Sequence, residues 1–234
     1  MSSKSNVLLI PWDPESVVHR QALLKQRIKC SWHMEKVEHQ WRELQKTGGK
    51  CIYWIVIPPD DSPTTQQLRT LLGPKADETI QDTATSINAV PREPSQAVFT
   101  PIGHISLDSE NPDAKDVELD IPSSGAFWIK TFYVTQCLQS QGIGRAAMDQ
   151  VEEMAIREPL NAKTLLLDTV EKDDQMREDF AIISYGAIPK VPNEVWYGQR
   201  GYRLIKTVLN FYNIKDKNDK IWDTKTVFMR KDIL

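Results

Sequence analysis

One stretch near the middle of the chain combines a strand, a glycine-rich loop and a helix. The apolar, β-branched run Phe132–Thr135 indicates the strand, and a polar turn with Gly142 and Gly144 follows it. Apolar residues with helical spacing then follow at Ile143, Ala147, Val151 and Met154. This order predicts an α/β protein in which the strand feeds the helix through the loop.

The loop has the chemistry of an anion site. The first amides of a helix have no partner within the helix and lie at the positive end of its dipole. Gly142 and Gly144 lack the Cβ atoms that would keep a bulky anion away, and Arg145 adds a positive charge. A diphosphate group is the expected ligand.

The spacing Gln139-x-x-Gly142-x-Gly144 resembles the Gln/Arg-x-x-Gly-x-Gly/Ala hexad of the GNAT superfamily of acyl-CoA-dependent N-acetyltransferases. In that family the hexad holds the coenzyme A pyrophosphate. Three further segments resemble the same family in the right order: Ile102–Leu107 as its third strand, Leu167–Thr169 as its fifth, and Trp196–Tyr202 as its Phe-Tyr-x-x-x-Gly-Phe signature. The resemblance covers residues 95–230 well.

The resemblance implies an α/β, GNAT-type acyl-CoA N-acyltransferase fold. Its mixed, twisted sheet has six to seven strands with helices on both faces. We expect residues 1–234 to form a single domain, in which residues 1–60 supply a strand and two helices that form part of the acceptor site. The implied function is transfer of an acetyl group from acetyl-CoA to an amine, by direct attack in a ternary complex and without a metal.

The coenzyme-binding residues that the resemblance implies are Tyr133, Val134, Gln139, Ser140, Gln141, Gly142, Ile143, Gly144 and Arg145. The backbone N–H of Val134 is the expected donor to the acyl carbonyl. Tyr197 takes the family position whose phenol protonates the departing thiolate.

The general base is harder to assign. Trp128 and Lys130 occupy positions where well-known family members carry Glu or His. Asp168, His104 and Glu118 are the remaining candidates, although each has an ordinary structural role open to it.

The junction between the first two predicted helices supplies candidates for the acceptor site: Trp32, His33 and Glu35. Packing and capping are the alternative roles for a Trp and a His at a helix junction.

Two other functions compete with catalysis. The missing base also fits an acyl-CoA-binding sensor or scaffold protein of the same fold. A nucleotide-binding domain for ATP or NAD fits less well, because the loop lacks the Walker lysine and position 147 is Ala where the dinucleotide motif has its third Gly.

Composition limits the partners and the compartment. The formal charge of −3 over 234 residues, without a run of Lys or Arg, predicts no nucleic-acid partner. The longest apolar stretch, Cys51–Ile57, is too short to span a membrane. Three separated cysteines predict reduced thiols in a cytoplasmic protein. The expected partner is a small-molecule or peptide amine acceptor, with a homodimer as an oligomeric option.

Several elements are predicted from local patterns. Residues 13–15 are expected to open a helix with apolar positions at Val17, Leu24 and Ile28, and Cys51–Ile57 is expected to form a strand buried on both faces. Residues 75–95 are predicted as surface loop, residues 171–192 as an insertion with one short helix, and residues 213–220 as a hairpin loop.

Overall fold

A computed structural model describes residues 7–214 and 220–233. The chain divides into two compact units. The first comprises Met1–Asn111 and Trp128–Leu160, and the second comprises Pro112–Phe127 and Asn161–Leu234. The single-domain interpretation stays a prediction, and each unit is described by itself.

The strands of the described residues are β1 (Leu8–Pro11), β2 (Ile52–Val56), β3 (Ile80–Gln81), β4 (Ser86–Ile87), β5 (Val90–Pro91), β6 (Val98–Phe99), β7 (Pro101–Asp108), β8 (Ala126–Val134), β9 (Thr164–Val170), β10 (Arg203–Leu209) and β11 (Lys225–Asp232). The α-helices are α1 (Val17–Cys30), α2 (Arg42–Thr47), α3 (Pro63–Leu72), α4 (Ile143–Ile156), α5 (Lys172–Met176), α6 (Glu178–Tyr185) and α7 (Asn193–Gln199). A 3₁₀ turn at Met34–Lys36 and a π-helical turn at Val37–Trp41 link α1 to α2.

In the first unit, β1, β2, β7 and β8 pair in this order, and each pair is antiparallel. All five residues of β2 are buried, which confirms the predicted strand with two covered faces. One side of this sheet packs against α1 and the π-helical turn. The buried cluster there consists of Trp12, Leu23, Val37, Trp41, Ile52, Trp54, Val56, Ile80 and Phe99.

Strand β8 carries a bulge beside β7. His104 pairs with Tyr133, but Ser106 pairs with Lys130, so two residues of β8 face one residue of β7. Thr131 lies in this bulge with φ +54°, in the left-handed region that β-branched residues rarely adopt. The bulge lies three residues before the end of the strand that feeds the glycine-rich loop.

In the second unit, β11 lies between β9 and β10 and pairs antiparallel with both. Helices α5, α6 and α7 connect β9 to β10. The predicted insertion at residues 171–192 therefore contains two helices, α5 and α6, where the sequence predicted one. The predicted hairpin loop at residues 213–220 lies largely outside the described residues.

The predicted start and buried face of α1 are wrong. The helix begins at Val17, and Ser16 caps it by accepting a hydrogen bond from the His19 amide. Val17 and Ile28, two of the apolar positions of the predicted helix, are 55% and 54% exposed. The buried residues of the helix are instead His19, Leu23, Gln26 and Arg27. Polar residues can occupy the inner face of this helix because Gln26 and Arg27 form hydrogen bonds with residues of β7.

The prediction that residues 75–95 are surface loop is wrong in part. They contain β3, β4 and β5, and β4 pairs with β5 as a small hairpin. Asp82 holds this segment: its carboxylate accepts hydrogen bonds from both terminal nitrogens of Arg92, at 2.7 and 2.8 Å, and from the backbone and hydroxyl of Ser95. Polar contacts replace the apolar periodicity that sequence reading relies on.

The predicted α/β class is confirmed: the main sheet of the described chain has seven strands, and helices pack with it in each unit. Within residues 7–214 and 220–233, no helix is long and apolar enough to cross a membrane.

Candidate active site

The glycine-rich loop is an exposed rim between two buried anchors. Leu138, which ends a 3₁₀ turn, and Ile143, the first residue of α4, are 0% and 1% exposed. The residues between them, 139–142, are exposed. The core therefore fixes both ends of the loop while its backbone faces outward.

The backbone of this loop turns the first amides of α4 toward solvent. Gly142 is the N-cap of α4 with φ +83°, a conformation that favours glycine, and Ser140 also has a positive φ of 65°. A Cβ atom added to Gly144 would meet the ring of Phe132 at 3.5 Å, an ordinary contact. The first amides of α4 have no partner within the helix and follow a run of exposed residues, which suits the binding of a phosphate group.

The end of β8 presents a main-chain donor beside the loop. The amide of Thr135 donates to Ile102 of β7 at 2.9 Å, so the alternation of an antiparallel ladder directs the N–H and carbonyl of Val134 to the opposite side. The side chain of Gln139 donates to that Val134 carbonyl at 3.1 Å. Gln139 therefore fixes the loop to the strand, and the Val134 N–H points to the same side as the carbonyl that Gln139 binds.

One face of β7 carries a buried polar row. His104, Ser106 and Asp108 alternate along the strand, and all three are buried. Lys50 binds the row: its Nζ atom donates to Asp108 Oδ2 at 2.7 Å and to Ser106 Oγ at 3.0 Å. It also donates at 2.7 Å to the hydroxyl of Thr131 in the β8 bulge. The strained bulge is thereby tied to a buried ion pair.

His104 is bound at both ring nitrogens. Gln26 donates through Nε2 to the Pro101 carbonyl, so its Oε1 atom accepts from Nδ1–H of His104 at 2.7 Å. The other ring nitrogen, Nε2, then accepts from Arg27 Nη1 at 3.3 Å. Burial, with the charges of Arg27 and Lys50, holds the pKa of His104 well below its usual range. These contacts suit a structural histidine better than a general base.

The predicted acceptor-site residues lie together at the junction after α1. The rings of Trp32 and His33 meet edge to face with centroids 5.9 Å apart, and Nδ1 of His33 lies 3.6 Å from the carboxylate of Glu35. Ser31 and His33, on either side of Trp32, both have positive φ values, 59° and 53°. Trp32 and His33 are half-buried, whereas Glu35 is exposed.

The second unit contains two predicted catalytic residues, Asp168 and Tyr197, and the charge of Asp168 acts on Tyr197. Asp168 accepts a hydrogen bond from the hydroxyl of Tyr212 at 2.6 Å. Burial, followed by the negative charge of Asp168, raises the pKa of Tyr197 above its usual range. Tyr197 is therefore protonated at neutral pH, as a proton donor must be. Glu118, the third candidate base, is exposed.

Sequence reading missed three buried polar residues of the first unit, Gln26, Arg27 and Lys50, and the half-buried Thr131. A signal for the first two was present, because residues 19, 23, 26 and 27 lie on one helical face, and Leu23 marks that face as buried. Lys50 and Thr131 had no local signal, since only strand pairing brings them together. Among the described residues, no group of three or more His, Cys, Asp or Glu side chains is placed to hold a metal ion.

Comparisons with known proteins agree with this geometry. Residues 72–181 match the model of the Acetyltransferase (GNAT) family. The structure of Arabidopsis thaliana NAA60 in complex with a bisubstrate analogue is similar, with 12% sequence identity, a TM-score of 0.50, and coverage of 98% of this chain and 100% of that chain. The acetyl-CoA complex of the same Arabidopsis protein has 11% identity and a TM-score of 0.51, with 97% and 99% coverage. A search of curated protein sequences finds no match.

The loop 139–145 lies within the matched residues 72–181, and this match supports an acyltransferase. The family match covers a little under half of the chain, and the structural similarity shows the GNAT fold.

Proposed function

We propose that the protein is an N-acetyltransferase that moves an acetyl group from acetyl-CoA to an amine in a ternary complex. One observation carries the proposal: the loop 139–145 exposes the first amides of α4 while the core anchors both of its ends. The protein of the second comparison was crystallised with acetyl-CoA, and the family match supports the same cosubstrate.

The loop residues would hold the pyrophosphate of acetyl-CoA through backbone amides from Gln141 to Arg145. Tyr133 and Val134 would line the pantetheine arm, and the Val134 N–H would polarise the thioester carbonyl. Gln139 supports this role because its side chain already occupies the Val134 carbonyl.

The transfer itself needs one bond formed and one broken. The neutral amine nitrogen attacks the thioester carbon, the carbon–sulfur bond breaks, and the extra proton of the nitrogen passes to solvent water as the amide forms. In the role that the family resemblance implies, the Tyr197 phenol, which burial keeps protonated, would give its proton to the departing thiolate and regain one from solvent. The acceptor would bind beside Trp32, His33 and Glu35.

Gly144 offers the sharpest test of coenzyme binding. Calorimetry should show that Gly144→Val loses at least tenfold in affinity for coenzyme A, because the branched side chain fills the approach to the helix amides. Gly144→Ala is the matched control, since its single Cβ atom makes only an ordinary contact with Phe132, and it should lose less. Unchanged affinity in a folded Gly144→Val protein would show that the pyrophosphate binds elsewhere.

The sensor or scaffold function remains the alternative, because His104 is committed to structural contacts. Release of coenzyme A in the presence of amines separates the two functions. Tight coenzyme binding without thiol release from any amine supports the sensor. The three free cysteines agree with the proposed cytoplasmic location.

A further inference from the structure

Arg27 carries a buried charge that no carboxylate of the described residues contacts directly. The side chain is only 4% exposed. Its Nε atom donates to the Trp32 carbonyl at 2.7 Å and its Nη1 atom to His104 at 3.3 Å. Both acceptors are neutral, and in the described part of the chain no carboxylate lies within ion-pair distance of this guanidinium. Buried charges are normally paired, because removing a charge from water is costly.

The surroundings of Arg27 keep an excess of positive charge. Arg27 and Lys50 both lie over the ring of Trp41, at 5.3 and 4.9 Å from its centroid. Asp108 balances Lys50 at 2.7 Å. The acidic residue at the nearby junction, Glu35, is exposed, lies 3.6 Å from His33 and attracts Arg27 only from beyond ion-pair distance. The guanidinium of Arg27 therefore has room for a carboxylate in direct contact.

The guanidinium still has donors to offer. An arginine has five N–H groups, and its planar fork suits a carboxylate. The Nη2 atom of Arg27 has no hydrogen-bond acceptor among the described residues. It is not one of the fully buried side-chain atoms that lack a partner, so solvent reaches it. The carbonyl that Arg27 holds belongs to Trp32, between two residues with positive φ values. Such strained backbone clusters at ligand sites.

Strand register places this cluster close to the expected thioester. Arg27 contacts His104, which pairs with Tyr133, and the next pair along the strands is Gly103 with Val134. Neighbouring register positions lie within a few ångströms of each other.

We propose that Arg27 binds a carboxylate of the acceptor, so that the substrate class is an amine that also carries a carboxylate, such as an amino acid. This inference rests on the proposed acetyl transfer for the role of the ligand, but the anion site itself can be measured without turnover.

Matched pairs of acceptors test the inference. The twenty amino acids are compared with the corresponding amines that lack the carboxylate, for example phenylalanine with phenethylamine. We expect kcat/KM for the preferred amino acid to exceed that of its amine by about tenfold to a hundredfold, the range for hydrogen bonds to a charged group. Arg27→Gln should remove this preference and leave the KM for acetyl-CoA unchanged. Arg20→Gln is the matched control, because Arg20 lies on the same helix but pairs with Glu38 at 2.9 Å.

A second measurement uses thermal unfolding without acetyl-CoA. Stabilisation by an amino acid but not by its amine, lost in Arg27→Gln, supports the anion site even if no amine is acetylated, and only the proposed function would then fail. Acetylation of amines without any preference for a carboxylate overturns the inference and leaves the transferase intact. The inference is also overturned if no amino acid stabilises the protein and none is acetylated. If Arg27→Gln does not fold, Arg27→Lys, which lacks the planar fork, should show a reduced preference.

Discussion

Gly103 shows how one missing side chain shapes the strand that feeds the loop. A Cβ atom at this position would overlap the Tyr133 carbonyl oxygen and would lie 3.1 Å from the Cα atom of Val134. Both contacts are to backbone, so the strands would have to move apart. We expect Gly103→Ala to lower the free energy of unfolding by about 1–3 kcal/mol, the usual cost of overpacking.

Urea denaturation measures this loss. Gly198→Ala is the matched control, because a Cβ atom there has no neighbour within 4 Å among the described residues and the site is helical. It should be neutral or slightly stabilising. Equal stability of wild type and Gly103→Ala would mean that β7 and β8 can separate at no cost.

Tyr197 carries the second prediction at this scale. Tyr197→Phe removes one oxygen and little packing, while the ring contact with Trp196, at 5.0 Å between centroids, is kept. If the phenol protonates the thiolate, turnover should fall by about a hundredfold with coenzyme affinity nearly intact. Steady-state kinetics and calorimetry measure both. A Phe variant at full rate would return Tyr197 to a packing role.

At the scale of elements, the buried pair Lys50–Asp108 connects β2, β7 and the bulge of β8. Its side chains are 5% and 3% exposed. Lys50→Met leaves the Asp108 carboxylate buried without its cation, which should cost about 3–5 kcal/mol. Adding Asp108→Asn should recover part of this loss, because the amide oxygen still accepts from the Cys51 amide, as Asp108 does at 3.2 Å.

Denaturant unfolding of the single and double variants tests this pair. Arg42→Met is the comparison, since Arg42 pairs with Glu15 at 2.8 Å on the surface, with side chains 33% and 57% exposed. That loss should stay below about 1 kcal/mol. Similar losses from the buried and exposed pairs would contradict the assigned role of Lys50.

The small hairpin at residues 86–91 gives a prediction about pH. Burial alone raises the pKa of Asp82, but hydrogen bonds from Arg92 and Ser95 outweigh it and hold the pKa at about 2. Because the folded pKa lies below the unfolded value, the stabilisation is present above pH 5 and is lost as the pH falls toward 2. The loss is about 2 kcal/mol from this group.

Acid unfolding of wild type and Asp82→Asn measures the contribution as a difference between two curves. The variant should be less stable at pH 7, and the two should converge near pH 2. Parallel curves over this range would show that Asp82 is not held by its partners.

Elements formed by residues adjacent in sequence could be predicted, whereas contacts between distant residues could not. The strand, loop and helix around residues 132–156 are adjacent in sequence, and their glycines and apolar spacing carry the pattern, so the sequence predicts these three elements. The coenzyme-binding residues of the loop stay a prediction. The polar row of β7 depends on Lys50 and Arg27, which lie more than 50 residues away from it. Amphipathic patterns assume an apolar inner face, and α1 violates that assumption with Gln26 and Arg27. The Asp82 network was also not predicted, because polar hydrogen bonds hold that segment and no apolar pattern marks it.

At the scale of the whole molecule, the pH dependence of the rate identifies what takes the proton of the acceptor amine. His104, the histidine proposed as base from the sequence, has a pKa well below 6.5 because of burial and two nearby cations, and Arg27 occupies its acceptor nitrogen. A free amine with a pKa of about 10 is then deprotonated by solvent before it binds. We expect kcat/KM to rise about tenfold per pH unit from pH 6 to 9, without an inflection near pH 6.5.

The pH profile of His104→Asn separates the two origins of this dependence. The variant lacks a titratable ring, so its profile should keep the shape of the wild-type profile even if its absolute rate differs. If the wild-type rate reaches a plateau above pH 7 and the variant shows no plateau, His104 is the base. A plateau in that range requires an enzyme group that titrates there, because the amine itself titrates near pH 10. An amine of lower pKa provides the complementary measurement. With such an acceptor the wild-type profile should level off at the pKa of the amine, because the fraction of neutral nucleophile, and no group of the protein, then limits the rate.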